Sequence, residues 1–443
     1  MAGKCSRRSF VKRAAMVAGA AVCAPYVMAD GAPNSKLGTA VIGSGGQGGA
    51  SVNEAVGERL IALVDVDDNR LAETTKNVSK AHPNVKTYFD YRKMLDECHK
   101  DIDAVFIATP DQHHAPAAIR CIDLGKHVYV EKPMAYCLYE VRKLTESARA
   151  KKVMTQLGNQ GHSGEEYRRL CEYIWAGAIG QVKETHSWTT WKFGNDGKQP
   201  PNSAPPKNLH WDEWLGPTLT GEYNSELHPM WWRKYINYGT GSTGDQGCHV
   251  MDGVFWALKL KSPTTFELIE QRAGSKDRWP VLNTIRYDFP ARGDMGPVSV
   301  YWHDGCKPPI CLELEKKNNR KFEDHGTIYV GEKGTMYTGQ YGGGIRIIPE
   351  EQHKATPQPP KTIPRIRTSH RGDFLRACKG SDVPPSSNFE YSGPLTEFVL
   401  LGHLAYMSKP GQKVEWDGEK MEAKGAPELN KLIKREYRKG WEV

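Results

Sequence analysis

The chain has 443 residues, 39% of them hydrophobic, with 60 Lys+Arg against 52 Asp+Glu, which is enough for two domains and a sizeable core. Lys4, Arg7, Arg8, Lys12 and Arg13 precede residue 30, so the remainder carries 55 basic against 52 acidic residues, a net of +3, with no basic run. Nucleic acid and anionic membrane are therefore poor partners. The cysteines beyond residue 29 show no zinc-ligand spacing, no metal is expected, and Cys306 and Cys311 read as free thiols on strands.

Residues 1–29 read as a leader. Ser6-Arg7-Arg8-Ser9-Phe10-Val11-Lys12 resembles the twin-arginine signal that exports proteins already folded, and Val27-Met28-Ala29 offers small residues for cleavage. The apolar run Ala14–Ala24 is too short for a membrane span. The expectation is a periplasmic or secreted protein; the alternative is an unstructured cytoplasmic tail.

Thr39–Ile42 is a short apolar strand entering Gly43-Ser44-Gly45-Gly46-Gln47-Gly48, followed by a helical stripe and a second strand, Leu60–Val64, that ends at Asp65. Strand, glycine turn, helix, strand and acid in that order form a dinucleotide-binding unit. Gly43 allows the tight turn, Gly45 and Gly46 with Gln47 admit the pyrophosphate, and Gly48 lets helix and strand pack. Asp65 is expected on the adenosine ribose hydroxyls, which favours NAD over NADP; its alternative role, capping the helix from Asn69, could fall to Asp67. Strands and helices then alternate: helix Asn69–Lys80, strand Val85–Phe89, helix Tyr91–Cys98, strand Asp103–Ala108, helix Ala117–Leu124, strand His127–Val130, helix Tyr139–Lys151 and strand Val153–Leu157. This is a doubly wound parallel sheet over 37–157, with ligand loops expected at Thr109–His114 and Glu131–Pro133.

Ala108-Thr109-Pro110 with His114, and Gly125-Lys126-His127-Val128 running into Glu131-Lys132-Pro133, resemble the Gfo/Idh/MocA family of sugar and polyol oxidoreductases. Gly158-Asn159-Gln160-Gly161-His162, Trp211–Pro217 and Tyr437–Trp441 extend the resemblance over the chain. It implies a Rossmann-type first domain, an α+β second domain over 158–443 with a large, mostly antiparallel open sheet, and NAD held by Thr109, Pro110, His114, Glu131 and Lys132 besides the glycine turn. It also implies that Lys132 is the catalytic lysine beside the nicotinamide and that Asp245 and His249 form a catalytic pair. A cis bond before Pro133 is carried as a possibility.

In the second domain, helix Glu165–Trp175 precedes strands at Val182–Thr190, Thr265–Glu270, Leu282–Tyr287, Val298–Trp302 and Thr327–Val330, and Asn195–Asn208 reads as a loop over the site. A helix is expected to begin at Asp245, which puts Asp245 and His249, i and i+4, on one face. A histidine there can take a hydroxyl proton as hydride leaves carbon, while Asp245 binds a neighbouring hydroxyl or fixes the imidazole's tautomer. The alternative makes Asp245 a cap and His249 a core residue. Substrate candidates are Asn159, His162, Trp188, Tyr223, His228, Trp232 and Arg233, since aromatic faces and polar side chains suit sugars; Trp191, Trp231, Tyr235 and the pair His303-Asp304 are further candidates.

The expected function is an exported NAD-dependent oxidoreductase acting on a carbohydrate, its cofactor held tightly and recycled on the enzyme. An NAD-dependent glycoside hydrolase working by transient oxidation, elimination, hydration and re-reduction is one alternative, and an inactive sugar-binding module another. A homo-oligomer, dimer or tetramer, is expected.

Overall fold

The computed structural model describes residues 36–194, 199–219 and 221–443. The leader expected over 1–29 lies outside the described residues, as do positions 195–198 of the expected loop. No described helix is long and apolar enough to cross a membrane.

The first layer is a six-stranded parallel sheet in the order β3-β2-β1-β4-β5-β6. Its strands are β1 (Gly38–Ile42), β2 (Arg59–Val64), β3 (Lys86–Tyr88), β4 (Ala104–Ile107), β5 (His127–Val130) and β6 (Thr155–Leu157). β1 and β4 are buried at every position, as expected for a parallel sheet covered on both faces. One cover comes from far along the chain: Phe374, on helix His370–Cys378, packs edge-on against Phe106 and Tyr129. The helix Asp68–Val78 is capped by Asp67, which accepts from the Asn69 and Arg70 amides and so leaves Asp65 free for another task.

The helix expected from Ala117 begins at Asp111, so Asp111–His114 are its first turn and not a loop. Pro116 lies inside the helix and removes one N–H from its interior. The Gln112 carbonyl that this leaves free accepts instead from Arg435 at 2.6 Å.

The second sheet has nine strands in the order β13-β12-β11-β7-β10-β9-β8-β14-β15. They are β7 (Val182–Thr189), β8 (Thr265–Arg272), β9 (Leu282–Phe289), β10 (Val298–Asp304), β11 (His325–Gly331), β12 (Thr335–Gly339), β13 (Arg346–Ile348), β14 (Lys413–Asp417) and β15 (Glu422–Lys424). All its pairings are antiparallel except β7 with β10. Cys306 follows β10 in a turn, and Cys311 lies on helix Pro309–Lys317; both thiols are free, but neither is on a strand.

Two helices lie on one face of this sheet, Gly241–Val250, buried throughout, and the long, largely buried Phe389–Tyr406. A Cβ at Gly247 would stand 3.1 Å from Val399 Cγ1, so glycine is what lets the two backbones approach. The first of these helices therefore starts four residues before Asp245. Its glycines, which read as a flexible approach, are contact points within a helix, and Asp245 is in its second turn, not at its cap.

Candidate active site

Gly43 turns with φ +80°, and a Cβ there would lie 2.7 Å from the Ala108 carbonyl. A Cβ at Gly48 would lie 1.7 Å from the Gly43 carbonyl, so Gly48 serves helix–strand packing and does not line the cavity. Asp65, buried at the end of β2, accepts from the Gly45 amide at 2.8 Å and the Asp67 amide at 3.0 Å. Burial raises its pKa despite those bonds. Gly43, Gly45, Gly46, Gln47, Asp65, Thr109, Pro110, Glu131 and Lys132 line one cavity of about 590 Å³ with Asp245 and His249 at its other end. The residues fit NAD. The turn is cleared of Cβ atoms where a diphosphate would approach, a helix N-terminus faces it, and a carboxylate sits where ribose hydroxyls need an acceptor.

The adenosine end is walled by segments of the second domain. Asn208 and His210 bond the loop after β2 through Asp68 N to Asn208 O (2.9 Å), His210 N to Val66 O (2.9 Å) and Asn208 Nδ2 to Asp67 (2.9 Å). His228 adds a 2.9 Å contact to Asp67. The Trp214 carbonyl of the following helix, Trp211–Leu215, meets His113 Nε2 at 2.8 Å. A tail segment closes over this: Arg438 bonds the Asp212 carboxylate at 2.6 Å and the Pro217 carbonyl at 3.0 Å, and Trp441 packs edge-on against Tyr91 and His113. Trp214, Tyr91, His113 and Trp441 all line the cavity.

At the Asp245 end of the cavity, the Lys132–Pro133 peptide is cis. Lys132 Nζ lies 2.5 Å from Asp245 Oδ1 and 3.0 Å from the Asp245 carbonyl. Arg233 Nε donates to the same Oδ1 at 3.0 Å, and Gln246 donates to Oδ2 at 2.7 Å. Burial alone would raise the Asp245 pKa, but the Lys132 and Arg233 charges hold it well below the carboxylate range. Asp245 and His249 share the cavity-lining face, but Asp245 does not hold the imidazole: its oxygens are taken up by Lys132, Arg233 and Gln246. Burial first, and then the Lys132 charge, push the His249 pKa down to about 3, so the ring is neutral. Its Nδ1 is buried without a partner among the described residues, which leaves Nε2 to meet a substrate hydroxyl. Glu131 is held by Arg371 at 2.5 Å, a tie from the helix over the first sheet.

Several expected residues are elsewhere. His114 is not on the cavity; its ring is wedged between the Pro133 and Thr109 carbonyls at 2.6 and 2.9 Å and fixes the two ligand loops to each other. Asn159 and His162 both turn away to a buried Asp252, at 2.9 and 3.1 Å, and His162 stacks on Trp256. Trp188 is core, stacked on Tyr337, and Tyr223 packs in the cluster around Trp214. His303 meets His186 and Thr284, and Asp304 meets Asn283, all away from the cavity. Of the substrate candidates, His228, Trp232 and Arg233 line the cavity, joined by Trp191. Sequence reasoning missed Gln160, Phe193, Met230, Gln246, Gln340 and Tyr341; Gln246 had a signal, since it adjoins Asp245 on the same helix.

A family model described as "Oxidoreductase family, NAD-binding Rossmann fold" matches residues 37–159, and one described as "Oxidoreductase family, C-terminal alpha/beta domain" matches 175–443. An uncharacterized oxidoreductase of Schizosaccharomyces pombe is 22% identical over 70% of this chain and 79% of its own length. An inositol 2-dehydrogenase/D-chiro-inositol 3-dehydrogenase of Lacticaseibacillus casei is 32% identical over 32% of this chain and 40% of its own. A glycosyl hydrolase family 109 protein of Bacteroides fragilis is 38% identical over 29% of this chain and 28% of its own. The chain thus spans less than half the length of either named enzyme. Among solved structures, the WlbA dehydrogenase of Chromobacterium violaceum, in complex with NADH and UDP-GlcNAcA, superposes with a TM-score of 0.60 at 15% identity, covering 90% of this chain and 99% of that one. With both halves matched by its models and the NAD-shaped cavity between them, the chain belongs to the Gfo/Idh/MocA oxidoreductase family and binds NAD.

Proposed function

We propose that this chain is an exported oxidoreductase that acts on a carbohydrate hydroxyl with an NAD it does not release between turnovers. Bound nicotinamide would accept and return a hydride; the protein does the rest. Lys132 supplies a cation beside the reacting oxygen and stabilises developing alkoxide. His249, neutral, takes the hydroxyl proton at Nε2 and later returns it. Asp245 keeps Lys132 in place and is itself held by Arg233 and Gln246. Trp191, Trp232 and His228 offer the aromatic and polar faces a sugar needs. Retention of all three catalytic groups on one cavity argues against an inactive module.

The observation that carries the reading is the wall over the adenosine end, built from the 208–217 and 435–441 segments. An exported enzyme that loses its NAD finds no replacement. Retention for hours needs an off-rate on the order of 10⁻⁴ s⁻¹, hence a Kd near about 10⁻¹⁰ M at an ordinary on-rate, about −14 kcal/mol. An adenosine end walled in this way supports such a rate. The test is to purify the protein matured from its leader, denature it, and look for dinucleotide. One equivalent is expected, and protein that arrives empty and takes up no added NAD overturns the reading.

The second reading is a glycoside hydrolase in which the same hydride returns to the same sugar. The family 109 hydrolase relatives and the walled-in cofactor favour it, because a nucleotide that does not exchange has to be reset where it is. Glycoside cleavage with deuterium uptake beside the oxidised carbon and no lasting NADH would separate it from net oxidation.

A further inference from the structure

Tyr341 is the residue of the site that the mechanism above leaves without work. It follows β12 in the turn Gln340–Gly342 with φ +59° and ψ +19°, a region an aromatic residue occupies only at a cost of about 1–3 kcal/mol. The surroundings hold it there. Gln340 donates to Gln246 Oε1 at 3.0 Å, and Gln246 in turn to Asp245, so the turn is tied to the catalytic helix. Gly161 leaves room for the ring, since a Cβ there would lie 2.5 Å from Tyr341 Cδ1. The ring meets His249 edge-on, centroids 5.2 Å apart at 86°, and lines the cavity with Lys132, Asp245 and Gln160.

Although Tyr341 is 38% exposed, partial desolvation and the negative charges of Asp245 and Glu131 raise the phenol's pKa, and no hydrogen bond from a described residue contributes. Of the other proton-bearing groups at this end, His249 keeps the proton that it returns to the sugar oxygen, and the rest are engaged. Lys132 and Arg233 are paired to Asp245, and Asp111, raised to about 6 by burial, is bonded to the Thr240 amide and hydroxyl. Tyr91, also on the cavity, lies against Trp441 at the adenosine end.

We infer that Tyr341 is a catalytic residue that donates its phenolic proton to the departing oxygen of a glycoside. The inference rests on the hydrolase reading, which needs a donor that oxidation alone does not. The sugar hydroxyl gives its proton to His249, and a bound NAD would take the hydride from its carbon. The C–H beside the new ketone loses its proton to solvent, a C=C forms, the C–O bond to the aglycone breaks, and Tyr341 protonates the leaving oxygen. The phenolate then takes a proton from the water whose hydroxide adds to the glycosidic carbon, and solvent returns a proton to the neighbouring carbon. The ketone regains the hydride, and its oxygen regains the proton from His249. One water is consumed and no net oxidation results.

The test compares wild type with Y341F, both as purified holoenzyme, on a panel of methyl hexosides and p-nitrophenyl hexosides. A nitrophenolate needs little protonation to leave and a methoxide needs much. Y341F is expected to lower methyl hexoside cleavage by about 100-fold or more and nitrophenyl hexoside cleavage several-fold at most. The transient absorbance at 340 nm on mixing with sugar should persist. Y341N, whose side chain tolerates the left-handed backbone, should melt no lower than Y341F and share its aglycone dependence. Equal losses for both aglycones, or none, remove the role from Tyr341. Wild-type protein that gives the 340 nm signal but cleaves no hexoside instead removes the hydrolase reading and the role with it.

Discussion

Acidification separates this site from one built around an ordinary histidine. Burial and the Lys132 charge place the His249 pKa at about 3, against an ordinary 6.5, a bias of about 5 kcal/mol against the imidazolium. The direction follows from the sign of the neighbours: a low-dielectric surrounding and an adjacent ammonium both disfavour a second cation, and a bound nicotinium would add a third reason. A base with pKa 6.5 loses about tenfold in rate per unit below that value and is about 100-fold slower at pH 4.5. His249 remains unprotonated at pH 4.5, so this group should cost the hydride step less than about twofold there. The assay is stopped-flow absorbance at 340 nm after a jump from pH 7.5 to pH 4.5, read before the protein unfolds. A fall of tenfold or more with an inflection near 6.5, present in wild type and absent in H249N, would refute the argument that burial keeps this imidazole neutral.

Other outcomes follow from the same geometry. Lys132→Ala should lower turnover by about 10³-fold or more while the protein still carries its NAD, because Asp245 keeps Arg233 as a partner; unchanged turnover removes Lys132 from catalysis. Arg438→Ala opens one tie of the adenosine wall. Since Asp212 is 73% exposed, the pair is worth at most about 1 kcal/mol, so release of bound NAD in a chase should quicken about fivefold, and more in Trp441→Ala. Wild-type rates in both variants would show that the wall is not what holds the nucleotide. His113 and His403 are pushed to about 4, and His249, His303 and His370 to about 3, in each case chiefly by burial. Their folded-state pKa values lie below the unfolded one, so the stability they lend is complete above pH 6.5 and is lost as pH falls from there, each by about 1.4 kcal/mol per unit. Urea midpoints should drop steeply between pH 6.5 and 4.5; a flat profile contradicts their burial as neutral rings. Gly48→Ala, whose Cβ would enter the Gly43 carbonyl, should abolish NAD binding or folding outright.

The first sheet was legible because period, turn chemistry and burial agree there: apolar strands in all-buried runs, a glycine turn and an acid in fixed order. Lys132, Asp245 and His249, singled out in the sequence, do meet on one cavity, because the i, i+4 spacing of the last two survives folding. What failed shares a cause. Asn159, His162, Trp188 and Tyr223 were weighed by residue type, and type does not say which way a side chain turns. Asp252, a carboxylate nothing in the sequence linked to position 159, draws Asn159 and His162 away from the cavity. The helix around Asp245 was started late because glycine counts locally as a helix breaker, whereas here its small size is what Val399, some 150 positions later, requires. Tyr341 had no signal at all: β12 and its turn are short, and their approach to His249 is set by sheet order alone.

Asp65 and Trp441 bound the same pocket but stand 376 positions apart (441 less 65). At about 5–20 residues per second, roughly 20–75 s separate the synthesis of the two. A nascent chain therefore carries a finished phosphate turn long before anything can enclose a nucleotide on it. Loading would then be an event of late maturation, governed by how the later-made residues dock, and a chaperone that met the protein earlier would handle it with an open cleft.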